Sequence, residues 1–477
     1  MKTFQRTTIH LCLIFLLLSG AVRAQFTISG EFRPRFEYRD GYTRLRDSSK
    51  TPYLAILGRN RLIFDYKNDQ FTARFSIQQA YVFGENNYSS DTITRNTINI
   101  YEGWFRYSFA KGFAIKVGRT ELVYDDGRLL GNSNWGPKGA SHDVAIAQWE
   151  NESKGYRGDF GFAVNNTAPA SAFLASYPLK NYKYMAYLYE QKKLFGDKLT
   201  ISFLGILDVM QQPNSPKKIT RNDTLFVVNT NHDTIGTTVI ATTTTGTTSY
   251  PTQLYGRLTV GGTIGYALEN FTVFAAGYYQ GGRFNDGRTL NAGFFGGYVS
   301  YRFFKPFTFL IGYDQLSGNN YSDAEGLKTK STAFSTLYPN SHGFYGYMDM
   351  FSSLMTTGEG AGLTDLYARA TFQLGGKTSL EATYRYFGLA QGYLPVIVSK
   401  PGELSYIAVK KHLGSEIDLM FVYKPVKNFE INAAYCFFIP TSTMERLNIL
   451  KEGTSKWAQY AYIMLTYKPN FFTSEKH

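Results

Sequence analysis

The spacing of the links in this chain constrains its fold more than any single residue does. Segments with strand-like alternation lie near 26–39, 57–67, 71–83, 100–110, 113–122, 143–150, 156–165, 181–190 and 198–209. They continue near 254–266, 270–280, 290–303, 307–315, 363–374, 378–389, 414–425, 428–438 and 457–467. After every second segment comes a tight link, such as "NDQ" (68–70), "FKP" (304–306), "GGK" (375–377) or "VK" (426–427). After the others come long polar stretches, among them 40–56, 84–99, 123–142, 210–253, 316–362 and 390–413. A soluble sandwich or propeller has no reason to sort its loops by length, whereas a membrane barrel has short turns on one side and long loops on the other. The rhythm predicts an all-β fold, a transmembrane antiparallel β-barrel of about 18 strands.

The chain opens with Lys2 and Arg6, the apolar run "LCLIFLLL" and the small-residue stretch "AVRA". This reads as a secretory signal peptide, residues 1–24, cleaved near Ala24. Residues 25–477 then form a single outer-membrane barrel domain, because no linker or composition shift divides them. Cys12 leaves with the leader, so Cys436 stands alone and no intramolecular disulfide is available. No later run reaches the roughly 20 apolar residues of a membrane helix. Aromatic residues make up 17% of the chain and glycines number 45, as a barrel wall requires. The net charge of +13, +10 without Lys2, Arg6 and Arg23, points to anionic solutes or polymers. Nucleic acid is not a partner expected in that compartment.

Side-chain alternation then sorts the charges. In "FTISGEFRPRFEYR" (26–39), Phe26, Ile28, Phe32, Phe36 and Tyr38 share one face, and Glu31, Arg33, Arg35, Glu37 and Arg39 share the other. In a membrane barrel the apolar face meets lipid and the polar face meets the lumen. The rule places Arg33, Arg35 and Glu37 in a pore, with Arg59, Arg61, Asp65 and Arg74 on the next strands. It adds Glu102 and Arg106, opposite Tyr101, Phe105 and Tyr107, and later Glu381 and Arg385. Two readings stand side by side: the mixed charges brace the wall, or an arginine surplus at a constriction favours anions.

The most distinctive segment is "VGRTELVYDDGRLLGNSNW" (117–135), followed by "SHDVAIAQW" (141–149). Together with "YDQLSGN" (313–319), "SHGFYGYMDMF" (341–351) and the block at 414–440, it resembles the alginate export family of outer-membrane barrels. The resemblance implies an eighteen-stranded barrel with an electropositive constriction that passes a polyanion. It carries Arg119 and Arg128 over as pore-lining positions, with Thr120 where the family more often has glutamine. Arg119 shares parity with the outward residues Phe113, Ile115 and Val117, so either a bulge in that strand turns it into the lumen or it sits at the membrane interface and snorkels. "YGYMDMF", with Tyr347 and Asp349, reads either as an apolar plug that stabilises its loop or as a gate folded into the pore. Asp125 and Asp126 suit a turn paired with Arg128 better than a calcium loop, whose oxygen ligands are spaced out along the chain.

Catalytic readings find little support. His142, His232, His342, His412 and His477 are scattered among loops and the terminus, with no metal-ligand spacing, and no nucleophile elbow occurs. No enzyme, metal or cofactor is expected. The leading reading is a pore for anionic solutes, an anionic polysaccharide included, with outer-membrane lipid and periplasmic export components as partners. The alternative is a plugged barrel that binds ligands or presents its loops at the cell surface. The last plausible strand ends near Tyr467, which leaves "NFFTSEKH" either loose or as an extension of the wall.

Overall fold

The computed structural model describes residues 24–46, 51–84, 97–165, 181–211, 222–228, 234–241, 253–284, 286–320, 322–352, 360–397, 404–447, 453 and 457–474. The expected leader, residues 1–23, lies outside the described residues. The rest closes into an antiparallel barrel of 18 strands. Each strand pairs with its chain neighbours, and the first meets the last. The first is broken by Pro34 into Gln25–Phe32 and Arg35–Asp40. Backbone exchange between Arg33 and Arg59 bridges the break, at 2.8 and 3.3 Å. On its other edge, Arg35–Asp40 runs against Ala458–Tyr467 in the register Arg35↔Met464 to Asp40↔Gln459. The tail is an extension of the wall, since Asn470–Thr473 pairs with Gln25–Phe32 beyond the bend at Lys468 and Pro469.

Closure satisfies the backbone of the wall without an open edge, which is why strands rather than helices can cross lipid here. Phe26, Phe32, Phe36, Leu62, Phe75 and Phe105 are exposed on the outer face. Near the short turns the outer aromatics gather into a girdle. Phe71 stacks on Tyr107 with centroids 4.7 Å apart, and Phe307 meets Phe372 at the same spacing. Such belts sit at the membrane–water boundary.

Two details depart from the expectations. Tyr101 faces the lumen, not lipid, because the ladder between Phe71–Val82 and Thr97–Ala110 shifts register at Ser76/Ile77. A bulge there lets Tyr101 and Glu102, adjacent in sequence, both turn inward, and both are buried. The long polar stretch 210–253, expected as a connection, contributes the strand Thr234–Ala241. It joins Asn222–Val228, Tyr393–Ile397 and Leu404–Ala408 in a small separate sheet. Residues 229–233 and 242–252 lie outside the described residues.

Candidate pore constriction

Four arginines from the first two strands meet inside the barrel. Arg33 and Arg35 flank Pro34, and Arg59 and Arg61 lie on Tyr53–Lys67 beside them. All four side chains are buried. Strands about 4.8 Å apart bring such groups into one patch. Two carboxylates of the same wall partly neutralise it. The Arg59 guanidinium donates to Glu31 at 2.6 Å, and Arg35 Nε donates to Glu37 at 2.6 Å. Glu37 also pairs with Arg39 and accepts from Tyr460 at 2.8 Å.

The remaining donors of the patch turn to a loop. The segment 121–141, which follows Phe113–Thr120, folds into the lumen, and its backbone carbonyls meet the guanidiniums. Arg33 donates to Asn134 O at 2.5 Å and to the carbonyls of Trp135 and Gly136 at 3.1 Å each. Arg35 donates to Trp135 O at 2.7 Å, with its guanidinium 3.8 Å from the indole centre. Arg59 reaches the Asn134 carbonyl at 3.2 Å and its side-chain Oδ1 at 3.1 Å. Arg61 donates to the same Oδ1 at 3.0 Å and to Gln78 at 2.9 Å, and lies 3.6 Å over the Tyr101 ring.

A second loop, following Phe307–Leu316, folds in beside the first. Gly131 N donates to Tyr338 O, Tyr338 N to Leu129 O and Asn340 N to Gly127 O, at 2.8–3.0 Å. Gly131 has to be glycine for this ladder, since a Cβ there would lie 2.4 Å from Asn340 N. The carboxyl of Asp126 accepts from Arg128 N at 3.0 Å, which closes the turn read from the sequence. Arg128 is pinned between loops and wall. It donates to Asp314 at 2.8 Å and to Tyr345 at 3.0 Å, between the rings of Phe294 and Phe344. Tyr347 and Asp349 also lie inside. Asp349 accepts from Tyr42 and faces His342 Nδ1 at 2.9 Å, while burial pushes the Tyr347 phenol up to about 12. Met348 N donates to Glu416 on the wall at 2.9 Å, and Phe351 packs on Phe387.

The other expected residues fall in smaller groups. Arg74 pairs with Asp65 at 2.7 Å and more loosely with Glu102 at 3.4 Å, and Arg106 donates to Gln148 and Ser108. Glu381 pairs with Arg369 at 3.1 Å, and Arg385 with Asp365. Arg119 is the exception. Its strand contains no bulge that turns it inward, so it stays on the outer face and makes a two-point pair with Asp143 at 2.8 Å. Sequence reasoning missed the buried acids Asp314, Asp365, Glu416 and Asp418 and the buried pair Arg257–Asp208. The inward parity of "YDQL", "TDLY" and "SEIDL" carried that signal. It also missed Asn134, whose place depends on how the loop folds.

A closed barrel with inward-folded loops and a charged lumen defines the outer-membrane porin class. Its location is accordingly the outer membrane. The chain belongs to the alginate export family, whose model matches residues 24–448. Among curated proteins, none matches this sequence. Solved structures share the fold at low identity. OpdO of Pseudomonas aeruginosa is 12% identical with a TM-score of 0.56, over 94% of this chain and 98% of that one. For opdK of Pseudomonas aeruginosa the identity is 8% and the TM-score 0.55, over 94% and 99%. OccK2 (OpdF) of the same organism, solved in complex with glucuronate, is 9% identical with a TM-score of 0.53, over 94% and 97%. Family and fold are those of outer-membrane porins and transporters rather than of enzymes.

Proposed function

We propose that this protein passes anionic solutes, anionic polysaccharides among them, across the outer membrane by electrostatic attraction to the arginine patch. One observation carries the reading: Arg33, Arg35, Arg59 and Arg61 form a buried cluster to which, among the described residues, Glu31 and Glu37 are the wall carboxylates bonded. Charge in excess of its partners attracts counter-ions, and in a pore it selects them. No nucleotide-binding motif occurs in the sequence, so movement follows a concentration gradient or the push of polymer synthesis, with periplasmic components supplying the polymer. The test is the reversal potential of purified protein in planar bilayers. The field of the patch reaches about 30 Å at 0.01 M salt and about 3 Å at 1 M. Anion preference is therefore expected in dilute chloride and is expected to fade as salt rises. Arg59→Gln with Arg61→Gln should reduce that preference in a barrel that still folds. A double variant with the parent's reversal potential at low salt would sink the reading.

A second reading is favoured by the two inward loops: a plugged barrel that binds ligands or displays its outer loops. Conductance separates the two. A barrel that never conducts, whatever solute is added, belongs to the second.

A further inference from the structure

The donors of the arginine patch are not waiting for an anion. The chain's own backbone engages them. Arg33, Arg35 and Arg59 donate to the carbonyls of Asn134, Trp135 and Gly136, and Arg59 and Arg61 share Asn134 Oδ1. Every one of these acceptors is neutral. The loop therefore supplies the geometry that an oxyanion would offer, several oxygens converging on forked guanidiniums, without the charge. The wall does not make up the difference, since Glu31 and Glu37 stand against four guanidiniums and Arg39 draws on Glu37 as well. The one acid of the loop at this point, Glu121, is turned the other way. It accepts from Asn134 Nδ2 at 2.7 Å, from Asn132 Nδ2 at 3.0 Å and from Tyr101 OH at 2.5 Å.

We infer that the four arginines form a carboxylate-binding site now occupied by the loop 132–136 as a neutral stand-in, and that anionic cargo opens the pore by replacing it. This rests on the pore reading above and adds its regulation. A carboxylate adds to these hydrogen bonds an ion-pair attraction and a two-point fit to the guanidinium fork that a neutral carbonyl lacks, so a chain of carboxylates outcompetes the loop where a neutral polymer does not. A loop released from the patch keeps its hold on the second loop through the Gly131–Tyr338 and Asn340–Gly127 bonds. Displacement is thus a local exchange rather than an unfolding of the lumen. It makes the site specific twice over, since the charge that attracts the cargo also clears its path.

The probes are oligogalacturonate, a polycarboxylate, and dextran of the same length as the neutral control, applied to the full-length barrel in planar bilayers at low salt. Opening events should become more frequent with oligogalacturonate and stay unchanged with dextran. Glu121→Gln with Asn134→Asp moves the loop's carboxylate onto the guanidiniums and should raise the half-activating concentration about tenfold. In parallel, Trp135 emission should shift on addition of oligogalacturonate, and the shift should vanish in Trp135→Phe. That arm needs only the parent and the conservative Trp135→Phe, so it decides the matter even where the double variant fails to fold. Anion-selective current that responds neither to oligogalacturonate nor to the double variant overturns the exchange and leaves the pore standing. Unchanged Trp135 emission at saturating oligogalacturonate also overturns it. Absence of current under every condition overturns both readings.

Discussion

The Trp135 indole lies flat on the His342 imidazole, with ring centroids 3.7 Å apart and planes within 5° of parallel. Each residue comes from a different inward loop, and the Arg35 guanidinium also lies over the indole. Wall, first loop and second loop thus meet at one residue. Trp135→Ala removes the layer that joins them. Aromatic pairs of this kind contribute about 0.5–1.5 kcal/mol beyond the area they bury. Spontaneous opening should become more frequent in single-channel records without added solute. Unaltered records would show that the ladder between the loops holds them without the stack.

The barrel itself should survive detergent. Its wall pairs every strand with two neighbours and leaves no edge for detergent to open. Unboiled protein is expected to run ahead of boiled protein on a denaturing gel. Identical migration would contradict the closed wall.

Arg119→Gln separates the family-derived position from the lumen patch. The side chain is on the outer face, paired with Asp143 and away from Arg33, Arg35, Arg59 and Arg61. Low-salt reversal potentials should match the parent, in contrast to the Arg59 and Arg61 double variant. A loss of anion preference equal to that of the double variant would place Arg119 in the conduction path.

Asp125 offers a test with pH. Burial raises its carboxyl above the ordinary carboxylate range and the neighbouring Asp126 raises it further, while hydrogen bonds from Ser202, Tyr189 and Thr263 work the other way. The folded state therefore holds the proton more tightly than the unfolded chain does. Its stability is greatest below the unfolded value of about 3.9 and falls as pH rises through the raised folded value. Asp125→Asn removes the charge, and asparagine tolerates the backbone φ of 51° at this position. The variant should need a higher temperature than the parent to lose its fast-migrating band at pH 7.5, with the gap closing near pH 3.5. A gap that is constant with pH would assign the effect to shape rather than charge.

The wall was legible from alternation because each barrel strand has one face in lipid, so Phe32, Phe36 and Phe105 declare the register of their neighbours. The extended tail was one of two readings, and pairing with Gln25–Phe32 decides it. Tyr101 was misplaced because a bulge inserts one residue without a local signature, and a period of two carried across it inverts the strand beyond. Arg119 shows the reverse case, in which parity alone gave the observed face and the motif argued against it. The arginine patch was legible on the wall side, where Arg33, Arg35, Arg59 and Arg61 follow alternation. It was not legible on the loop side. The position of Asn134 depends on contacts between segments some two hundred residues apart, such as Gly127 with Asn340, and no period in the sequence encodes them.

The strand extension Asn470–Thr473 bears on how the molecule is made. Phe26 N donates to Ser474 Oγ across 448 positions of sequence. The first strand written is thus the last to find its second neighbour. Until residues 458–473 arrive, both margins of the growing sheet stand bare, and bare margins pair with other chains. A chain of this topology can close its wall only when its last strand is in place, so closure acts as a late clasp. The seam between Gln25–Phe32 and Asn470–Thr473 is that clasp.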